Sequence, residues 1–152
     1  MDEQTVGAIL EAEHRSIDED IVRFGNGEMP DEAFRASMDL LRRHIYVEEA
    51  MMFPQLREAG LVMPIMVMER EHGEIWSVLD ALQTAITDGS AGADVTGDLE
   101  ALTTLLENHN AKEEPIVYPV ANRALSSYDA TVIKDFLASG TMPYGWTCAR
   151  AV

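Results

Sequence analysis

Four histidines and one repeated acidic motif carry the chemistry that this sequence can perform. His14, His44, His72 and His109 each fall inside an apolar stripe of helical spacing. The stripes read Leu10-His14-Ile17, Leu41-His44/Ile45-Glu48, Met68-His72-Ile75 and Leu102-Leu106-His109-Glu113. A single imidazole on such a face is ordinarily a core histidine bonded to a neighbour. Four of them, one per segment, are a convergent set and can meet inside a bundle.

The second signal is an internal repeat. Residues His44 to Pro54 and His109 to Pro119 both read H-x3-E-E-x3-aromatic-P, at an offset of 65 residues. His at i and Glu at i+4 lie on one helix face, a turn apart. An imidazole nitrogen can then bind one metal while the carboxylate reaches a second. Buried carboxylates require a cation or a proton, and the basic residues close by (Arg42, Arg43, Lys112) sit beside the stripes, not on them. Nitrogen and carboxylate donors without thiolate suit iron, manganese or zinc. Two bridging carboxylates favour a dinuclear iron or manganese centre, with zinc the competitor.

The elements that must position these residues are four long helices. Gly25, Gly27 and Pro30, then Gly60 and Pro64, then Gly89, Gly92 and Gly97, and finally Gly140, Pro143 and Gly145 punctuate the chain. Between them the apolar periodicity is helical, and strand alternation is absent. Pro30 and Pro64 read as first helical positions and Asp94 as an N-cap. The pattern predicts an all-α, up-down-up-down four-helix bundle over about residues 4–125. A short fifth helix, about Tyr128 to Ser139, and a tail with Tyr144, Trp146 and Cys148 that packs back on the body complete a single domain, 1–152.

Counting from the turns tests convergence. About residue 28, His14 and His44 are 14 and 16 residues away; about residue 91, His72 and His109 are 19 and 18 away. At roughly 1.5 Å per residue the offsets are about 3 and 1.5 Å. Across the turn near residue 61, His44 and His72 differ by roughly 9 Å, which an off-centre turn or a bend at Pro54 must absorb.

Composition narrows the classes. Eleven Lys and Arg against 27 Asp and Glu leave a net charge of −16, so nucleic acid and anionic membranes are not expected partners. One cysteine excludes an internal disulfide and all-cysteine metal sites. No signal peptide is visible, and the longest apolar run, Leu61 to Met68, is too short to span a bilayer. The expectation is a cytoplasmic protein.

These residues resemble the hemerythrin-like (HHE cation-binding) family over roughly residues 5 to 125. The likeness rests on His14, His44-x3-Glu48 with Glu49, Phe53 and Pro54, Glu71-His72, and His109-x3-Glu113 with Glu114, Tyr118 and Pro119. It implies a bundle around two iron ions with an oxo or hydroxo bridge. The implied ligands are His14, His44, Glu48, His72, His109 and Glu113, with Glu48 and Glu113 bridging. Oxygen carriers of the family have a fifth histidine where this chain has Trp76, so the resemblance is to the four-His, two-Glu members, which include iron-centre repair proteins.

About two coordination positions stay open for solvent, a small ligand, Glu69 or Glu11. The implied role is binding of, or reaction with, oxygen, nitric oxide or peroxide, with no separate catalytic residue assignable. The alternative is an iron storage, donation or sensing module. Tyr118 and Phe53 are expected to pack where each helix bends at its proline.

Overall fold

The computed structural model describes residues 4–88 and 95–151. Among them every regular element is helical. Helix α1 spans Val6–Gly25, α2 Asp31–Tyr46, α3 Phe53–Glu58, α4 Met63–Thr87, α5 Thr96–Lys112, α6 Tyr118–Ala124 and α7 Ser127–Ser139. A π-helical segment, Val47–Met52, joins α2 to α3, and a second, Glu113–Val117, joins α5 to α6. The chain therefore makes four long rods, α1, α2–α3, α4 and α5–α6, followed by the short α7. This is the bundle that the periodicity predicts.

Local chemistry marks the ends. The Thr5 hydroxyl caps α1 by accepting from the Ala8 amide, and Ser126 caps α7 by accepting from Asp129. Pro30 stands one residue before α2, at the cap instead of the first turn, while Pro64 is inside the first turn of α4. Gly60, with φ of 99°, makes the left-handed step between α3 and α4. The expected breaks at Gly89 and Gly92 and the expected cap at Asp94 lie outside the described residues.

The apolar stripes meet in two clusters. One holds Ile17, Ile21, Phe34, Met38, Leu41, Leu79, Leu82 and Leu102 among others. The other holds Val6, Leu10, Met52, Phe53, Leu56, Ile65, Met68, Val117 and Ala121. Between Leu10 and Ile17, and between Met68 and Ile75, each stripe is interrupted by its histidine. The core is thus two apolar halves separated by a polar layer. Among the described residues no helix is long and apolar enough to cross a membrane.

The tail returns to the bundle, as its aromatics suggest. Trp146 presents its edge to Tyr46 and Trp76, with ring centroids 5.1 and 5.6 Å apart. Cys148 is buried in the same apolar cluster. The Arg43 guanidinium donates to the carbonyls of Leu137 and Gly140 and so ties α2 to the end of α7. On α4, a Cβ at Gly73 would lie 2.6 Å from the Arg150 carbonyl oxygen, so glycine there lets the tail lie against the helix.

Gly73→Ala should therefore lift the tail and destabilise the fold by roughly 1–3 kcal/mol, as overpacking typically does. Gly97→Ala, where nothing lies within 4 Å of the added carbon, should be neutral or mildly stabilising. Thermal melts of both variants check this; equal melting temperatures would show that the tail contact carries no energy.

Candidate metal centre

The polar layer gathers all six residues singled out by spacing. His14 and His44 approach each other from α1 and α2, with their Nε2 atoms 3.1 Å apart. His72 and His109 do the same from α4 and α5, with ring centroids 4.9 Å apart. Glu48 and Glu113 stand between the two pairs. Glu48 directs Oε2 to His44 Nε2 at 3.3 Å and Oε1 to His72 Nε2 at 3.1 Å. Glu113 directs Oε1 to His14 Nε2 and Oε2 to His109 Nε2, both at 3.3 Å. Each carboxylate thus divides its two oxygens between two clusters, His14-His44-Glu48-Glu113 and Glu48-His72-His109-Glu113.

This arrangement resolves the 9 Å mismatch. Across the turn near residue 61 the partner of His72 is Glu48, not His44. Glu48 is 13 residues before that turn and His72 is 11 after it, a difference of about 3 Å. The histidines pair within α1–α2 and within α4–α5, and the carboxylates join the pairs.

The prolines shape the segments that hold the carboxylates. Pro54 and Pro119 lack an amide proton and would clash with the carbonyl four residues back in a regular α-helix. The π segments relieve this clash immediately before each proline. Phe53 N–H then bonds to Glu48 O, and Tyr118 N–H to Glu113 O, five residues back in both cases. The wider turn has a chemical consequence. At 3.6 residues per turn, position i+5 lies about 140° from position i, but in the π turn it returns to the same face. The Tyr118 hydroxyl consequently reaches Glu113 Oε1 at 2.8 Å and Glu48 Oε2 at 2.7 Å.

Behind every imidazole stands a second carboxylate. The Nδ1 atoms of His14, His44, His72 and His109 lie 2.8, 2.9, 2.7 and 2.9 Å from Glu114, Glu13, Glu49 and Glu71. A neutral imidazole donating from Nδ1 presents its Nε2 lone pair inward. Three of the outer acids are themselves held. Arg43 donates to Glu13, Lys112 to Glu71, and the Ala149 amide to Glu49 at 2.9 Å. Of the basic residues beside the stripes, Arg43 and Lys112 serve outer acids and Arg42 pairs with Asp80, which leaves the inner carboxylates without a fixed cation.

Protons do that work in the metal-free chain. Burial pushes the His109 imidazole down, but Glu113, Glu71 and Glu48 outweigh it and raise the value to about 10. His44 and His72 are raised in the same way against burial, by Glu48 with Glu13 and by Glu48 with Glu49 respectively. Burial raises Glu113 and Glu48, and the surrounding imidazoles override it and hold both low. Burial, then Glu113 and Glu48, keeps the Tyr118 phenol well above its ordinary range.

Hydrogen bonds do not satisfy the whole layer. Glu48 Oε1, His72 Nε2 and Glu113 Oε2 are buried and in close ion-pair contact, but none of them makes a hydrogen bond of good geometry. They are the inward atoms of one cluster, and their donor chemistry fits a cation. Glu69 and Glu11, the candidates for open positions, turn elsewhere: Glu69 pairs with Arg57 and Glu11 with Arg15. Spacing alone missed Tyr118 as a site residue, because the reading assumed 3.6-residue turns. The outer acids had a signal in the pairs Glu13-His14 and Glu71-His72 and in the second glutamate of each repeat.

The family profile described as Hemerythrin HHE cation binding domain matches residues 5–121. The chain belongs to the hemerythrin HHE cation-binding family. The match covers three rods, the fourth as far as residue 121 in α6, and the whole His/Glu layer, so this is a metal-binding domain; α7 and the tail lie beyond it. No curated protein and no solved structure matches the chain.

Metal and proton compete for the same atoms in this HHE domain. Metal uptake at pH 7 should displace protons from His44, His72 and His109, so affinity should rise with pH toward 10. Calorimetric titration in two buffers of different ionisation heat measures that release, and identical heats would refute it. In the metal-free chain the raised His109 value stabilises the fold fully below about pH 6.5. That contribution should fade as the pH rises through about 10. Glu71 acts at the other end: hydrogen bonds from His109 and Lys112 lower it to about 2. Its stabilisation should be present above about pH 4.5 and be lost as pH falls toward 2.

Proposed function

We propose that the domain holds two iron ions and uses them to bind, or react with, a small ligand of the size of oxygen, nitric oxide or hydrogen peroxide. The observation that carries this reading is the division of Glu48 and Glu113 between two clusters of equal donor content. Each cluster offers two imidazole nitrogens and one oxygen from each carboxylate. That set is four donors for a metal that takes six, so positions remain for something else. The six residues are at most 4% exposed, which restricts that ligand to a few atoms. Bound iron would supply reversible electron transfer and the open positions.

The protein's own part is orientation and exclusion of water. Four outer acids set the imidazoles with Nε2 inward, which raises their basicity. Two apolar clusters seal the layer from above and below. Release of iron to a partner is poorly served by such a site, because every ligand is buried and held from behind. The binding and redox reading is therefore preferred to storage or donation.

Protein purified without added metal, or reconstituted anaerobically with ferrous iron, should contain about two irons per chain. Chelation should lower its melting temperature, since binding to the folded state alone is stabilising. Glu48→Ala with Glu113→Ala should abolish both the iron and the chelator effect. An iron-free wild type after reconstitution would sink the proposal. Two irons that react with none of the three small ligands would leave a storage module.

A further inference from the structure

The site is built on an internal two-fold repeat, and one atom breaks it. Residues 44–54 map onto 109–119 with a shift of 65, and Glu13-His14 onto Glu71-His72 with a shift of 58. The contacts obey the same mapping. His14–Glu114 at 2.8 Å corresponds to His72–Glu49 at 2.7 Å, and His44–Glu13 corresponds to His109–Glu71, both at 2.9 Å. The last motif aromatics correspond as well. Tyr118 stacks on His14 with centroids 5.6 Å apart, and Phe53 stacks on His72 at 5.7 Å. The rings are equivalent, but only one carries a hydroxyl.

That hydroxyl is crowded by acceptors. Its oxygen lies 2.7 Å from Glu48 Oε2, 2.8 Å from Glu113 Oε1, 3.0 Å from His14 Nε2 and 3.4 Å from His44 Nε2. These are the four donor atoms of one cluster, and a phenol has one proton to share among them. A cation held by all four would also face the phenol oxygen. On the equivalent side Phe53 offers carbon only, and there Glu48 Oε1, His72 Nε2 and Glu113 Oε2 have ion-pair contacts but no hydrogen bond of good geometry.

Resting on the two-metal reading above, we propose that Tyr118 is a further protein ligand, to the metal held by His14 and His44. External small ligands then bind the metal held by His72 and His109, on the side of the site where Phe53 stands. When Tyr118 binds, its O–H bond breaks as the oxygen–metal bond forms. The proton leaves to the buffer, and no oxidation state changes. The two metals are inequivalent: one closed by the chain, one open to ligand.

The test uses ferric-loaded full-length protein, its iron content, its visible spectrum and azide as the probe ligand. Wild type should show a phenolate-to-iron charge-transfer band and bind one azide per chain. Tyr118→Phe should keep its iron, lose the band and bind a second azide. Phe53→Tyr should keep its iron, gain intensity in the band and lose azide binding. By the internal mapping its added hydroxyl would face Glu48 Oε1, His72 Nε2 and Glu113 Oε2, which lack a hydrogen bond of good geometry.

Full iron content without the band, a band that survives Tyr118→Phe, or azide binding untouched in Phe53→Tyr would overturn the assignment of Tyr118 and leave the two-iron reading standing. A wild type that takes up no iron would overturn the reading beneath it.

Discussion

Two carboxylates with no water around them are the constraint on which this molecule depends. Glu48 and Glu113 are fully buried and face each other across the middle of a bundle whose core is otherwise apolar. Like charges in such a place repel, and each loses its hydration. Much of the neighbouring polar structure answers that problem. The imidazoles bring either protons or a metal to the carboxylates, and the outer glutamates orient the imidazoles. Arg43 and Lys112 then hold Glu13 and Glu71, which are partly exposed, and the Ala149 amide holds the buried Glu49. The polar layer is a graded path from a buried anion to solvent.

The backbone takes part in the same solution. Each inner glutamate begins or lies within a π segment that ends at an aromatic–proline pair. The proline forces the wide turn, and the wide turn returns the aromatic to the face of the glutamate. A structural defect in the helix and a chemical group in the site therefore have one cause. Local disruption costs helix hydrogen bonding, and apolar packing of Met52, Phe53, Leu56, Val117 and Tyr118 in one cluster offsets it.

Much of this was legible from spacing. The four rods, the interior placement of the histidines and the i, i+4 glutamates follow from 3.6-residue periodicity and from a repeat visible by eye. What escaped is what departs from that periodicity. Tyr118 reads as a packing residue at the proline bend, and it does pack in one apolar cluster; its reach to Glu113 depends on the π turn, which 3.6-residue periodicity does not show. The apparent gap between His44 and His72 arose from treating the histidines as mutual partners, when a carboxylate joins them. Glu69 and Glu11 are one turn from histidines and look like ligands. Nearby arginines, which periodicity does not weigh, draw both outward.

The division of each carboxylate between two clusters also bears on the order of synthesis. Both clusters contain Glu113, so neither is whole while the first three-quarters of the chain leaves the ribosome. The amino-terminal helices present two histidines and one glutamate by themselves, a weak and incomplete set. Metal capture thus becomes strong only after the last bundle helix has been made and has docked. A nascent or truncated chain lacks the full donor set that the finished bundle encloses between its two apolar clusters.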